Sequence, residues 1–338
     1  MRAARLRSPG NIAVEEVARP VPRGDELLLR VEACGICGSD RHMFLGDYPT
    51  ASPVTLGHEF CGIVEARGPE ALRIAAGTRV TGDPNIACGH CPACRAGRVN
   101  LCANLAAIGV HRDGGFADYV IVPEGQAFEL PPTLDPLHGA FCEPLACCLH
   151  GLDVARIVPG QSVAVLGGGV IGLLMAQLAR LAGATTVVLS TRQAPRRVLA
   201  EELGATATID ASAADPVAAL HALSPGGVEV VLECAGVPQT FAQSLRMARR
   251  GGTVVVFGVM AKGVEVAVTP YDLLVNELRV EAAWLNPMTH GRAAAMVAAG
   301  TLKLDRLITR TIPLEDVPAA IAAPPGFGEV KLIAVPGG

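Results

Sequence analysis

Four cysteines fall within fifteen residues in the stretch CGHCPACRAGRVNLC, from Cys88 to Cys102. The spacing is C-x2-C-x2-C-x7-C. Thiolates at Cys88, Cys91, Cys94 and Cys102 are enough to close a tetrahedral shell around Zn2+. Glycine, proline and alanine between them let the backbone wrap tightly. The spacing departs from the usual ferredoxin runs, which argues against an iron–sulfur cluster. Four cysteine ligands leave no open coordination position, so the expectation is a structural zinc that pins a lobe. The chemistry must then lie elsewhere.

A second ligand set is spread over three pieces, CGICGSDRH at 34–42, LGHEF at 56–60 and FCEPLAC at 141–147. Cys37, His58, Glu59 and Glu143 offer one thiolate, one imidazole and two carboxylates. Mixed ligation of that kind, with water in the last place, is what a catalytic zinc needs. Taken singly, each piece has a plainer reading. A lone histidine is often a core residue, and Glu143 ahead of a proline can cap a helix.

The third chemical signal is SVAVLGGGVIG. It holds G-x-G-x-x-G as Gly167, Gly169 and Gly172, with Val170 and Ile171 filling the turn, after a strand and at the opening of a helix. In that context the glycines let the backbone close on a pyrophosphate at the helix N-terminus. The strand that follows normally ends in an acid that binds the adenosine ribose diol. Here no acid occurs from Thr185 through Ala200. Ser190, Thr191, Arg192, Arg196 and Arg197 occupy the region instead. Guanidinium groups in place of a carboxylate fit a 2′-phosphate, so NADP is expected over NAD.

These pieces need elements to carry them. Up to about residue 150 the chain is rich in Gly, Pro and Cys, with short strand-like runs at ELLLRVEACGI, CGIVEARG, TRVTGD and FADYVIVPE. From Ser162 strands and helices alternate, as in an α/β doubly wound parallel sheet. The expected division is a β-rich domain over 1–153, a Rossmann domain over 154–288, and a tail over 289–338 that returns to the first domain.

The 338 residues carry a net charge of −4 and are 50% hydrophobic, so a real core is expected. That charge leaves no electrostatic footprint for nucleic acid or an anionic membrane. The longest apolar stretch is interrupted by Gln177 and Arg180 and does not read as a membrane span. With no signal-peptide pattern, a cytoplasmic address and reduced cysteines are expected.

In order along the chain, CGICGSD, GHE, the four-cysteine lobe, GGFADY, EPLA, the glycine-rich turn and NPMTH resemble the zinc-dependent medium-chain dehydrogenase/reductase family. Glutamate at the EPLA position resembles its sorbitol (polyol) and threonine dehydrogenase-like members. The resemblance implies a GroES-like catalytic domain, two Zn2+ per subunit, and hydride exchange between a nicotinamide cofactor and the alcohol or ketone carbon of a polyol or sugar-like secondary alcohol, with threonine or a vicinal diol as the alternative substrates. It implies Cys37 and His58 as fixed ligands, with Glu59 and Glu143 as alternates. It gives Asp40 the role of holding the His58 imidazole. Ser39 would accept the substrate proton and pass it by way of the nicotinamide ribose to His42. An imidazole's ordinary pKa suits that exit. The resemblance also places Thr191 where the ribose-binding acid would stand. Phe44, Tyr48, Phe116 and Trp284 become candidate pocket walls. A homo-oligomer, dimer or tetramer, is implied, with NELRVEAAWL as the candidate edge strand.

Overall fold

The computed structural model describes residues 1–337. These group into two units, Met1–Ala146 with Asn286–Gly338, and Cys147–Leu285.

In the first unit the central strand is Glu26–Gly35. Its sequence ELLLRVEACG is buried over most of its length. It pairs antiparallel with Glu59–Arg67, Tyr119–Pro123 and Lys331–Ala334. The sheet runs Ala127–Glu129, Arg79–Gly82, Glu59–Arg67, Glu26–Gly35, Lys331–Ala334, Ile308–Ile312. Leu27, Leu29 and Val31 of the central strand pack with Phe60, Val64, Phe116 and Val120 in one core. The hairpin of Arg2–Ser8 and Asn11–Glu16 was not expected. Its second strand is only partly buried, so it shows little hydrophobic alternation.

The second unit is a six-stranded parallel sheet. Its order is Ala207–Asp210, Thr186–Thr191, Ser162–Leu166, Val228–Glu233, Ala248–Val256, Arg279–Ala282. Numbered along the chain this is 3-2-1-4-5-6, the order of the Rossmann fold. Strand Ser162–Leu166 lies inside the sheet and is almost wholly buried, so its apolar run has no polar face. Helix Val170–Leu181 follows it and buries eight consecutive residues from Gly172 to Ala179.

Both expected boundaries move. The first falls at 146/147, inside the continuous helix Cys142–Ala155, so no linker marks it. The second falls at 285/286 instead of 288/289, because Asn286 is already bound into the first unit. Its Nδ2 donates to Asp83 Oδ1 at 3.2 Å, and its Oδ1 accepts from Asn85 Nδ2 at 2.5 Å. His290 extends this buried network. Its Nδ1 is 3.4 Å from Asn286 Nδ2, and its Nε2 is 3.3 Å from Thr81 Oγ1. The Phe128 ring stacks on the imidazole at 5.1 Å.

Burial pushes the pKa of His290 down to about 3. Burial also raises Asp83 to about 6, against hydrogen bonds from Asn85 and Asn286. The two act in opposite directions on stability. Unfolded His290 takes a proton near pH 6.5 that the folded site refuses, so stability falls as pH drops from about 6.5 toward 3. Asp83 binds its proton more tightly when folded, so its contribution is lost as pH rises from about 4 to 6. The histidine shift is the larger and governs the acid side. We predict that His290→Gln loses about 2 kcal/mol less stability than wild type between pH 7 and 4.5. Urea unfolding at the two pH values measures this, and equal losses would assign the acid sensitivity to other groups.

Candidate metal and nucleotide sites

The end of the central strand delivers the first ligand. After Gly35 and Ile36 the chain turns, and Cys37 becomes the N-cap of helix Gly38–Leu45. Asp40 reaches back, its Oδ2 accepting from the Cys37 backbone N–H at 2.8 Å. The neighbouring strand begins at Glu59, which lies opposite Gly35 in the ladder. His58 immediately precedes it. The sheet register thus gathers Cys37, His58 and Glu59, whose ligand atoms lie within 4.8 Å of one another.

This arrangement fits a zinc ion. Bonds of about 2.0–2.3 Å to sulfur, nitrogen and oxygen set tetrahedral ligand separations of about 3.3–3.8 Å, which lie inside that limit. The charges agree with the distances. Burial opposes a positive imidazole at His58, yet Asp40 and then Cys37 outweigh it and hold its pKa well above the usual value. The cluster therefore asks for a cation at the imidazole, which a metal supplies as well as a proton does. His58 Nδ1 and Asp40 Oδ1 face each other at 3.4 Å, and both atoms are buried without a well-formed hydrogen bond. This is a contact that orients the ring more than it binds it. Ser39 Oγ stands 3.1 Å from His58 Nε2 on the other side. His42 lies one helical turn beyond Ser39, partly exposed, with Nδ1 3.8 Å from Asp47.

Glu143 is buried in the first turn of helix Cys142–Ala155, but outside the 4.8 Å group. Only one of the two expected glutamates is therefore in the cluster. Phe116 has no exposed surface and belongs to the core, so it does not wall a pocket here. Phe44 and Tyr48 pack partly buried against the same core.

One participant was missed. Lys331 is 1% exposed, and its ammonium donates to Glu59 Oε2 and, at 3.0 Å, to the Ile36 carbonyl. Burial alone would lower the lysine pKa, but Glu59 and Cys37 reverse the effect and raise it. Gly35 makes room for the pair. A Cβ there would lie 2.2 Å from Glu59 Oε2 and 2.7 Å from Lys331 Cε. The available signal was a lysine in the apolar strand KLIA, in a chain with lysine only at 262, 303 and 331.

In the four-cysteine lobe all four sulfurs lie within 4.8 Å of one another, and Cys91 Sγ is 3.5 Å from Cys94 Sγ. A ZnS4 tetrahedron with bonds of about 2.3 Å needs sulfur separations of about 3.8 Å. Backbone N–H groups of His90 and Cys91 bring the Cys88 pKa down to about 6. Burial and the neighbouring Cys91 push Cys94 up to about 12. Without a cation the lobe cannot hold four thiolates; with Zn2+ it can.

The second unit carries the nucleotide turn. A Cβ on Gly172 would lie 1.9 Å from the Gly167 carbonyl oxygen, so no other residue fits there. Gly169 is the N-cap of helix Val170–Leu181, and a Cβ on it would meet nothing within 4 Å. That is an open cradle at a helix N-terminus, as a pyrophosphate requires. Val170 and Ile171 open the helix. Ser190 and Thr191 end the next strand, both buried, and Arg192 beyond them is exposed. Arg196 and Arg197 lie on helix Ala194–Glu202.

Residues 23–132 match the alcohol dehydrogenase GroES-like domain, and residues 170–299 match the zinc-binding dehydrogenase domain. D-arabinitol dehydrogenase 1 of Uromyces fabae is 30% identical over 325 residues, covering 95% of this chain and 93% of its own. Sorbitol dehydrogenase of Halalkalibacterium halodurans is 37% identical over 257 residues, 75% of each chain. The crystal structure of a zinc-binding dehydrogenase of Sinorhizobium meliloti 1021, bound to NADP, superposes with a TM-score of 0.96. It is 60% identical and covers 99% of both chains. The chain belongs to the zinc-dependent medium-chain dehydrogenases, in their polyol dehydrogenase-like branch. It is an oxidoreductase that acts on alcohols with a nicotinamide cofactor.

We predict that Lys331→Met, which leaves Glu59 buried without its partner, costs about 3–5 kcal/mol. Lys331→Arg should cost less, because it keeps the charge. Denaturant midpoints of the two variants decide it. An unchanged midpoint in Lys331→Met would mean that Glu59 does not depend on the lysine.

Proposed function

We propose that the protein transfers hydride reversibly between NADP(H) and the alcohol or ketone carbon of a polyol or sugar-like secondary alcohol. The observation that carries this reading is the convergence of Cys37, His58 and Glu59 around one point in the first unit. The arginines after strand Thr186–Thr191 and the NADP bound in the Sinorhizobium meliloti relative support the choice of cofactor.

When bound, zinc supplies Lewis acidity at the substrate oxygen and the nicotinamide supplies or takes the hydride. The protein's own residues do the rest. Cys37 and His58 hold the metal, and Glu59 lies beside them under the control of Lys331. Glu143 is held in reserve as the alternate carboxylate. Asp40 sets the His58 ring from behind, as a partner to a metal-bound imidazole usually does. Ser39 would take the substrate's hydroxyl proton, and His42 would receive it at the end of the relay. The imidazole, one turn along the same helix and reached by solvent, releases it. Cys88, Cys91, Cys94 and Cys102 hold the second zinc in a structural role.

A homo-oligomer is part of the proposal. Strand Arg279–Ala282 ends the sheet of the second unit with all four residues exposed, including Val280. Such an edge is a template for pairing with a second copy. No helix among the described residues is long and apolar enough to cross a membrane.

We predict that Cys37→Ser or His58→Ala lowers turnover by at least about a thousandfold while leaving NADPH affinity within about twofold. Steady-state rates, nucleotide titration and metal analysis check this together. Retained turnover in protein stripped of zinc would sink the mechanism.

A further inference from the structure

The three arginines after strand Thr186–Thr191 are not equivalent. Arg197 is already engaged. Its Nη2 lies 2.7 Å from Asp210 Oδ2, and its Nη1 donates to the Thr191 carbonyl at 3.1 Å. The pair is largely shielded, with the Arg197 side chain only 18% exposed and that of Asp210 33%. Asp210 ends the next strand, directly opposite Thr191 in the parallel ladder. The Asp210 backbone therefore stands one strand spacing, about 4.8 Å, from the Thr191 backbone, where a 2′-phosphate would be read. Asp210 is fixed there. Its Oδ1 accepts from Ser212 N–H at 2.9 Å and from Ser212 Oγ at 2.5 Å. Those bonds, and then Arg197, hold its pKa below the usual carboxylate range, so it is ionised at neutral pH.

An ionised carboxylate at that place opposes a phosphate, since like charges disfavour each other at such distances. We propose that Arg197 serves the phosphate indirectly, by neutralising Asp210 and bracing the Thr191 carbonyl. Arg192, exposed just beyond the strand end, is left as the group that can face the phosphate itself. This rests on the NADP reading above and assigns work within it. Arg197 is a positioning and charge-masking residue, and Asp210 is the latent determinant against NADP. Thr191, the last residue of strand Thr186–Thr191, thus sits beside a carboxylate after all, one strand over and cancelled.

The test is a double-mutant cycle read by nucleotide binding to the zinc-loaded protein. NADPH and NADH are titrated separately, followed by tryptophan quenching or calorimetry. The masking role predicts that Arg197→Ala weakens NADPH roughly tenfold and leaves NADH within about twofold. Asp210→Asn alone should leave NADPH binding as tight as wild type or tighter. The decisive variant is Arg197→Ala with Asp210→Asn, which should recover most of the lost NADPH affinity. Arg192→Ala should stay weak for NADPH whether or not Asp210 is changed. If the double variant remains as weak as Arg197→Ala while wild type still prefers NADPH, Arg197 touches the phosphate and the masking role is overturned. If wild type binds NADH as tightly as NADPH, the phosphate site itself fails and the inference falls with it.

Discussion

The first unit depends on balancing five ionisable groups in a space mostly shielded from solvent. Asp40 and Glu59 are buried carboxylates, His58 is a buried imidazole, Lys331 is a buried ammonium, and Cys37 stands among them. No protein interior tolerates such charges singly. Here each is placed against another. Lys331 answers Glu59, and Asp40 answers His58 and the Cys37 backbone. The remaining demand for positive charge converges on the Cys37–His58–Glu59 point, which is what a divalent cation satisfies. The central sheet is the means. Gly35 lies opposite Glu59, Ile333 lies opposite Gly35, and the absence of a side chain at 35 lets Lys331 and Glu59 meet.

The two cysteine-containing clusters would use a metal in two different ways. In the lobe, four sulfurs from one short segment surround a single point, and backbone N–H groups already favour thiolate at Cys88. Nothing is left over for a substrate. In the other site the ligands come from a strand end, a turn and a second strand, and protein atoms fill only part of a shell. A closed four-sulfur shell would stabilise a fold, whereas a partly filled one would leave room for chemistry. Glu59 sits between these roles. It is near enough to ligate, yet it is bound by Lys331, so its availability is set by a side chain 272 residues away.

The second unit handles charge differently. Its glycine turn provides dipoles and space instead of formal charge: a Gly167 carbonyl so near that a Cβ on residue 172 would lie 1.9 Å from it, and open room at Gly169. Formal charge is added at the adjacent strand end, where arginines replace the usual acid. One of them is spent on Asp210. Counting arginines along the chain overstates the positive charge available to a phosphate, because the compensating carboxylate comes from a neighbouring strand.

Much of this was legible from residues alone, wherever the physical cause is local. The strand, glycine turn and helix from Ser162 to Gly183 follow from an apolar run, a tight turn and helical spacing, all within about twenty residues. The four-cysteine lobe is legible for the same reason. So is Asp40 behind His58, once the family pattern is noticed. What sequence could not supply is pairing between distant segments. Lys331 meets Glu59 only because strand Lys331–Ala334 docks beside Glu26–Gly35. Glu143 falls outside the metal cluster and Phe116 falls into the core through packing that no local pattern encodes. The division at Ala146 lies within an unbroken helix, where composition does not change. Residue types determined which chemistries this protein has available. Tertiary structure decided which groups face one another, because electrostatic and hydrogen-bond energies depend on distance in space and not on separation along the chain.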